Sequence, residues 1–278
     1  MTAILARHAE ALAARLPPLL ARSPRVANSV TAGAHARRRV GPGSSFWQFR
    51  PYASGDQPSQ IDSRASAKSD RAYVRQTEWE LAQTVHIWCD GSASMEWRSN
   101  TSLPTKAGRA SLLLLAVSAL LLRGGERVRP LGGAPAATLD RLAEAVARQP
   151  AAGLPALTDM PAHGRLLMAG DFLAPLAEIE ASFRPYATRP VRGHVVQILD
   201  PAELALPYSG RVRFQGMEAE PDAIVPQVEG VRATYAAAIA TQQAGLRAIC
   251  DRAGWTCTVH RTDARAEDAL LDLYQAIA

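Results

Sequence analysis

Cysteine is scarce in this chain of 278 residues: there are three, Cys89, Cys250 and Cys257. Three scattered thiols exclude a disulfide framework. Buried, reduced cysteines in a reducing compartment are the expectation. The six histidines show no His-Glu-x-x-His spacing and the cysteines form no zinc-type pairs, which excludes the common zinc sites. There is no Gly-x-x-x-x-Gly-Lys-Ser/Thr loop, so ATP hydrolysis by this chain is not expected. There is no Gly-x-Ser-x-Gly elbow, which removes the usual serine hydrolase. Long apolar runs are missing too. The most apolar uncharged run, residues 110–122, falls short of the ~20 residues a bilayer span needs. Arg7, Glu10 and Arg15 interrupt the N-terminal apolar residues, which argues against a secretory signal. A soluble cytoplasmic protein is expected.

What is present is enough to build a core. Hydrophobic residues make up 47% of the chain, and the length fits one large domain with an appendage. Charge is uneven. Residues 1–75 hold 12 Lys and Arg against 4 Asp and Glu, whereas the rest of the chain holds 19 against 22. The N-terminal quarter is therefore a basic face, either solvated surface or a surface for an acidic partner.

Residues 2–22 carry Leu5, Leu12, Leu16 and Leu19 near helical spacing and predict an amphipathic helix broken by Pro17 and Pro18. Residues 46–52 and 73–85 read as strands around a polar segment. An irregular, partly β appendage over residues 1–80 is expected, including that first helix. From residue 84 the pattern changes. Strand-like runs at 84–89, 127–131, 165–169, 191–199, 211–214 and 256–260 alternate with helical stretches at 106–123, 138–149, 225–253 and 266–276. Such alternation predicts an α/β domain over residues 81–278, an open, mostly parallel sheet with helices on both faces.

Three apolar strands end in aspartate, at Asp90, Asp171 and Asp200. In open parallel sheets, sites form outside the carboxyl ends of the strands. Asp90, Ser92 and Ser94 alternate along a tight loop, so their oxygens can face one side. One carboxylate and two hydroxyls suit a hard divalent ion, Mg²⁺ or Mn²⁺, that keeps several waters. Asp171 on another strand could orient one of those waters. The competing reading is that Asp90-Gly91-Ser92 is a good turn and nothing more.

The loop Asp90-Gly91-Ser92-Ala93-Ser94 resembles the Asp-x-Ser-x-Ser signature of the metal-ion-dependent adhesion site in von Willebrand factor A domains. A longer stretch is more specific. Phe46-Trp47-Gln48-Phe49-Arg50, Tyr52, Gly55-Asp56, Ile61-Asp62, Arg64, Ser66-Ala67, Val74-Arg75 and Glu78-Trp79-Glu80 resemble, in order and spacing, the bacterial domain of unknown function numbered fifty-eight. Asp200-Pro201-Ala202-Glu203, Gly210-Arg211 and His260-Arg261-Thr262-Asp263 extend the resemblance over nearly the whole chain. It implies a von Willebrand factor A-like fold with a family-specific N-terminal region, association with MoxR-type AAA+ ATPases in protein maturation, and no established enzymatic activity. The chain departs from the pattern at Ser63, where the family has Trp. It also has Gly153-Leu154-Pro155 where such metal sites take a Thr, with Thr158 nearby but out of register.

The expected function is therefore a non-enzymatic adaptor with a metal site at Asp90, Ser92, Ser94 and Asp171, Thr158 being a weak substitute for the missing Thr. Arg50, Asp56, Asp62 and Arg64 are either ion pairs that pin an irregular segment or a partner-recognition surface. Two alternatives compete. Asp90 and Asp171 resemble the carboxylates of haloacid-dehalogenase-type phosphatases, but Ser92 stands where those enzymes need an acid. Arg37, Arg38 and Arg39 close to Phe46, Trp47 and Phe49 could instead serve nucleic-acid binding.

Overall fold

The structure, a computed structural model, describes residues 2–18, 46–53, 61–67, 71–77, 83–218 and 220–277. Helix α1 (Thr2–Ala13) comes first. Strands β1 (Phe46–Pro51) and β2 (Tyr73–Thr77) flank a one-turn helix, α2 (Ser63–Ser66). Strand β3 (Thr84–Cys89) leads through a 3-10 turn at Ala93–Glu96 into helix α3 (Lys106–Arg123). Strand β4 (Arg127–Pro130), helix α4 (Leu139–Ala147), strand β5 (Arg165–Gly170), helix α5 (Leu176–Ala187) and strand β6 (Arg192–Leu199) follow. A short helix α6 (Pro201–Ala205) and a hairpin of β7 (Val212–Phe214) and β8 (Ala223–Val225) precede the long helix α7 (Val228–Arg252). Strand β9 (Thr256–Arg261) and helix α8 (Ala266–Ile277) complete the described elements.

Strands β4, β3, β5, β6 and β9 lie in that order in one sheet, and every neighbouring pair is parallel. The open parallel α/β sheet expected from the alternation of elements is what forms. Its strands are buried on both faces, and alternate residues divide between two cores. Val85, Ile87 and Cys89 of β3, Leu167 and Ala169 of β5, and Val196 and Ile198 of β6 face one core with α1, α3, α4 and α8. Trp88, Leu166, Met168 and Val195 face the other with α5 and α7. Helix α3 is the largest contributor to the first core. Leu113, Leu114, Leu115, Leu120 and Leu121 are fully buried, each burial stabilising the fold by about 2 kcal/mol. Its first turn is fixed by the Thr105 hydroxyl, which accepts from the Gly108 N–H at 3.0 Å.

The chain divides into two units, Met1–Arg22 with Gln83–Ala278, and Ser23–Ala82. Helix α1 therefore groups with the α/β unit and not with the appendage. Ala6, Ala9 and Ala13 fall on one helical face and are buried in the first core. Small side chains on that face let the helix approach closely. Helix α1 ends at Ala13, ahead of Pro17. In the smaller unit β1 pairs antiparallel with β2, with an irregularity between Phe46 and Gln48. The Asp62 N–H donates to Tyr73 O at 2.8 Å, and the Ser66 hydroxyl bonds the Asp62 carbonyl at 2.7 Å. The strand expected over residues 73–85 is two: β2 ends at Thr77, and Thr84 and Val85 open β3. Arg37, Arg38 and Arg39, Asp56, and Glu78-Trp79-Glu80 lie outside the described residues.

Packing at β6 gives a direct test. A Cβ built on Gly193 would lie 2.3 Å from Cδ2 of the Trp255 ring, whose indole N–H donates to Val191 O at 3.0 Å. Gly193→Ala is expected to destabilise by about 1–3 kcal/mol through overpacking. Gly230 in α7 has nothing within 4 Å of such a Cβ, so Gly230→Ala is expected to stabilise by about 0.5–1 kcal/mol. Urea unfolding reads both signs, and equal effects would contradict the packing described.

Three histidines are buried, at 2%, 4% and 5% exposure for His86, His194 and His260. Burial lowers each from 6.5 to about 4, with Arg129 adding to the effect at His86 and Arg109 at His260. Between those values the unfolded chain binds more protons than the folded one. This share of stability is therefore complete above about pH 6.5 and lost as pH falls towards about 4. Asp90, raised to about 6 chiefly by burial, opposes the trend as one carboxylate against three imidazoles. The urea midpoint is expected to fall over this window, and to fall less steeply in His194→Gln. A midpoint independent of pH would contradict the burial of neutral imidazoles.

Candidate functional site

The strand order locates the site. From β3 the chain steps outward to β4, then returns to β5 on the other side of β3. The carboxyl ends of β3 and β5 therefore flank the point where the order reverses, the place where open α/β sheets bind ligands. Asp90 follows β3 and Asp171 follows β5. The Asp90 N–H donates to Ala169 O at 2.8 Å, extending the ladder by one bond. A Cβ on Gly170 would come within 2.8 Å of the Asp90 Cβ and 3.0 Å of its Oδ2, so only glycine lets the two strand ends approach this closely.

Hydrogen bonds connect the loop to its surroundings in a continuous chain. Asp90 Oδ1 accepts the Ser92 N–H at 2.8 Å. The Ser92 and Ser94 hydroxyls are 3.1 Å apart. The Ser94 hydroxyl donates to Asp171 Oδ2 at 2.7 Å, and the Lys106 ammonium donates to the same oxygen at 2.8 Å. Lys106 also donates to Glu203 Oε1 at 2.5 Å. Glu203 Oε2 accepts the Asp200 N–H at 2.8 Å, and Asp200 Oδ1 accepts the Ala202 N–H at 2.8 Å, a reciprocal cap on α6. Asp200 Oδ2 takes the Ser99 N–H at 3.0 Å. The third strand-end aspartate is thus committed to capping.

The turn after β5 is held against its own preference. Phe172 has φ 48°, a left-handed conformation unfavourable for a bulky side chain. Its ring is buried between Trp88 and Phe183, with centroids 5.9 and 5.8 Å away. Gln197 donates to Asp171 O at 2.8 Å, and Gln242 donates to Phe172 O at 3.0 Å. Aromatic burial and these amide bonds offset a strain of about 1–3 kcal/mol and fix where Asp171 points.

One buried carboxylate oxygen of the loop is left over. Asp90 is 1% exposed, and its Oδ2 is buried with no hydrogen-bond partner. Burial raises the Asp90 carboxyl to about 6; bonds from Ser92 pull it down, and the charges of Asp171 and Glu218 push it up. A buried carboxylate oxygen without a donor is costly, and either a proton or a cation relieves it. Among the described residues no three His, Cys, Asp or Glu side chains converge as a metal cluster. An ion at this loop would rely on Asp90 together with the Ser92 and Ser94 hydroxyls and on water, which fits a hard ion such as Mg²⁺ or Mn²⁺. Asp171 fits the role of orienting the Ser94 hydroxyl. Cys89, next to Asp90, is pushed up to about 12 chiefly by burial and is inert as a nucleophile.

Of the expected site residues, the structure brings Asp90, Ser92, Ser94 and Asp171 together. Thr158 is engaged elsewhere: its hydroxyl donates to Ala156 O at 3.2 Å, and its N–H donates to the Tyr186 hydroxyl at 3.1 Å. Gly153 stands beside Ser92, where a hydroxyl was sought. Arg50 lies in β1, Asp62 is half-buried and Arg64 is exposed in α2, all in the smaller unit, while Asp56 is outside the described residues. Three residues at the loop were not anticipated: Lys106, Glu203 and Glu218. Burial holds the Lys106 ammonium down, but Asp171 and Glu203 more than reverse this and keep it above its ordinary value. Glu203 had a local signal in Asp200-Pro201-Ala202-Glu203, a capping box with Pro at the first helical position. Lys106 and Glu218 had none, because their partners are distant in the chain.

Among the described residues no helix is long and apolar enough to cross a membrane. No curated protein matches the chain. Solved structures are similar to it, two of which follow. One is the conserved hypothetical protein BatB from Bacteroides thetaiotaomicron, 11% identical with a TM-score of 0.41, covering 70% of this chain and 97% of that one. The other is an uncharacterized membrane spanning protein from Vibrio fischeri, 12% identical with a TM-score of 0.19, covering 71% of this chain and 96% of that one. The family model of DUF58, a protein family of unknown function, matches residues 48–245, from the first described strand to deep within α7, and this chain belongs to that family.

Proposed function

We propose that this chain is a non-catalytic protein-binding module of the von Willebrand factor A type that holds Mg²⁺ or Mn²⁺ at the Asp90 loop. The observation that carries this reading is the buried, unpartnered Asp90 Oδ2 at the start of a loop whose Ser92 and Ser94 hydroxyls lie 3.1 Å apart. A bound divalent ion supplies a positive charge with a coordination position for a carboxylate on a partner. The loop's own groups do the rest. Asp90 takes the Ser92 N–H and sets the turn, while Asp171 accepts the Ser94 proton and leaves that oxygen's lone pairs directed away from it. The resemblance named above points to a MoxR-type AAA+ ATPase, or its client, as the partner, in the cytoplasm. A phosphatase reading has less support, because Ser92 gives no acid for a leaving group.

Calorimetric titration of Mg²⁺ and Mn²⁺ into the purified protein tests the reading. Saturable binding is expected, and Asp90→Ala is expected to abolish it while remaining folded. No binding to the native protein would contradict the reading.

The Lys106 ammonium makes a second expectation. It is 1% exposed and neutralises part of the same carboxylate cluster. Lys106→Met leaves Asp171 and Glu203 without a counter-charge, a loss of about 3–5 kcal/mol for a broken buried pair. In chelator its melting temperature is expected to fall well below that of the native protein. On adding Mn²⁺ the variant is expected to gain more stability than the native protein does, because tighter binding to the folded state stabilises more. An equal gain in both proteins would show that Lys106 and the cation do not share a field.

A further inference from the structure

We infer that Glu218, in the turn of the β7–β8 hairpin, is a further ligand of the cation at the Asp90 loop and supplies the oxygen that Gly153 lacks. The inference rests on the cation reading proposed above.

The contact spans 124 residues of chain: Glu218 Oε1 accepts the Ser94 N–H at 3.1 Å. Its other oxygen faces the loop as well. A Cβ built on Gly153 would lie 3.8 Å from the Ser92 Cβ, 3.9 Å from Glu218 Oε2 and 4.0 Å from the Ser92 hydroxyl. Glu218 Oε2 and the Ser92 oxygen therefore border the same small space beside Gly153. A side chain at residue 153 would fill that space, and glycine leaves it to the hairpin carboxylate.

Charge points the same way. Asp90 and Glu218 bring two acidic side chains to the loop, and the ammonium there, Lys106, is already committed to Asp171 and Glu203. The unpartnered Asp90 Oδ2 lies in the same cluster, on a residue 1% exposed. Two carboxylates and two hydroxyls are four hard oxygen donors, and in a site of about six positions they leave about two for water or a partner.

Contacts within the hairpin shape the turn that carries Glu218. Arg213 pairs with Asp222 across it, with Nε to Oδ2 at 2.9 Å. The Glu218 N–H donates to the Glu220 carboxylate at 2.8 Å. A Cβ on Gly216 would lie 2.2 Å from Glu220 O, so the turn closes tightly on itself. The Glu218 side chain is exposed, and its carboxylate is tied to the loop by the bond from the Ser94 N–H.

Mn²⁺ is the probe, titrated by calorimetry into the native protein, Glu218→Ala and Glu229→Gln, with solvent-proton relaxation counting the waters on the bound ion. Glu218→Ala is expected to lose about 10-fold or more in affinity, at least the loss seen on removing an outer partner of a metal ligand. Its bound Mn²⁺ is expected to carry about one more exchanging water. Glu229→Gln removes the same charge from the first turn of α7, just after the hairpin, keeps an acceptor for the Gly210 N–H and is expected to stay within about two-fold, as screening weakens charges beyond the contact shell. Equal affinity and equal water number in Glu218→Ala and the native protein would overturn the role of Glu218 and leave the loop as the ion site. Equal losses in both variants would also overturn it, reducing Glu218 to general charge. Absence of Mn²⁺ binding in all three proteins would overturn the cation reading itself and this inference with it.

Discussion

A buried ammonium between two carboxylates organises the carboxyl end of the sheet. Lys106 opens helix α3, where the helix dipole disfavours a cation, and no acidic residue occupies that first turn to offset it. Its side chain is 1% exposed, so the charge has also lost its water. Asp171 from the end of β5 and Glu203 from α6 supply the compensation. Replacing such a buried triad with apolar residues often costs nothing in stability, which makes register and orientation the better account of its retention. Here the ammonium fixes Asp171, Asp171 fixes the Ser94 hydroxyl, and Glu203 fixes the turn after β6 through its bond to the Asp200 N–H. A local preference broken at a strand-end crevice and restored by distant residues is a mark of a functional site.

The sheet was legible because it depends on local pattern. Short apolar runs ended in Asp or Gly, and period-two burial on both faces followed once helices covered each side. The strand-end aspartates were legible for the same reason, and two of the three converge on one loop. Helix α1 was harder. Its Ala6, Ala9 and Ala13 face is a weak amphipathic signal, and nothing nearby in the chain says which unit it will cover. Helix α5 carries Pro185 in its last turns, a breaker by local rules that tertiary packing of Phe183 and Tyr186 overrides. The site was half legible. Asp90, Ser92 and Ser94 lie within five residues, but Asp171 and Glu218, which bond Ser94, arrive from 77 and 124 residues away. Spacing along the chain cannot report such meetings.

The cluster has an excess of negative charge and two hydroxyls, and its buried Asp90 Oδ2 has no donor. Each side chain has a neighbour that places it: Gly170 for Asp90, Phe172 for Asp171, the Ser94 N–H for Glu218. Such preorganisation lowers what a cation must overcome to bind. It also explains why a mixed set of carboxylates and hydroxyls can serve where no triad of strong metal ligands exists among the described residues.

The central claim is that a divalent cation belongs between Asp90, Ser92 and Ser94. Diffraction from crystals soaked in Mn²⁺, recorded at the manganese absorption edge, measures this directly. An anomalous peak at bonding distance from Asp90 and the two serine hydroxyls is the result expected. Mn²⁺ peaks elsewhere on the molecule with none at this loop would contradict it.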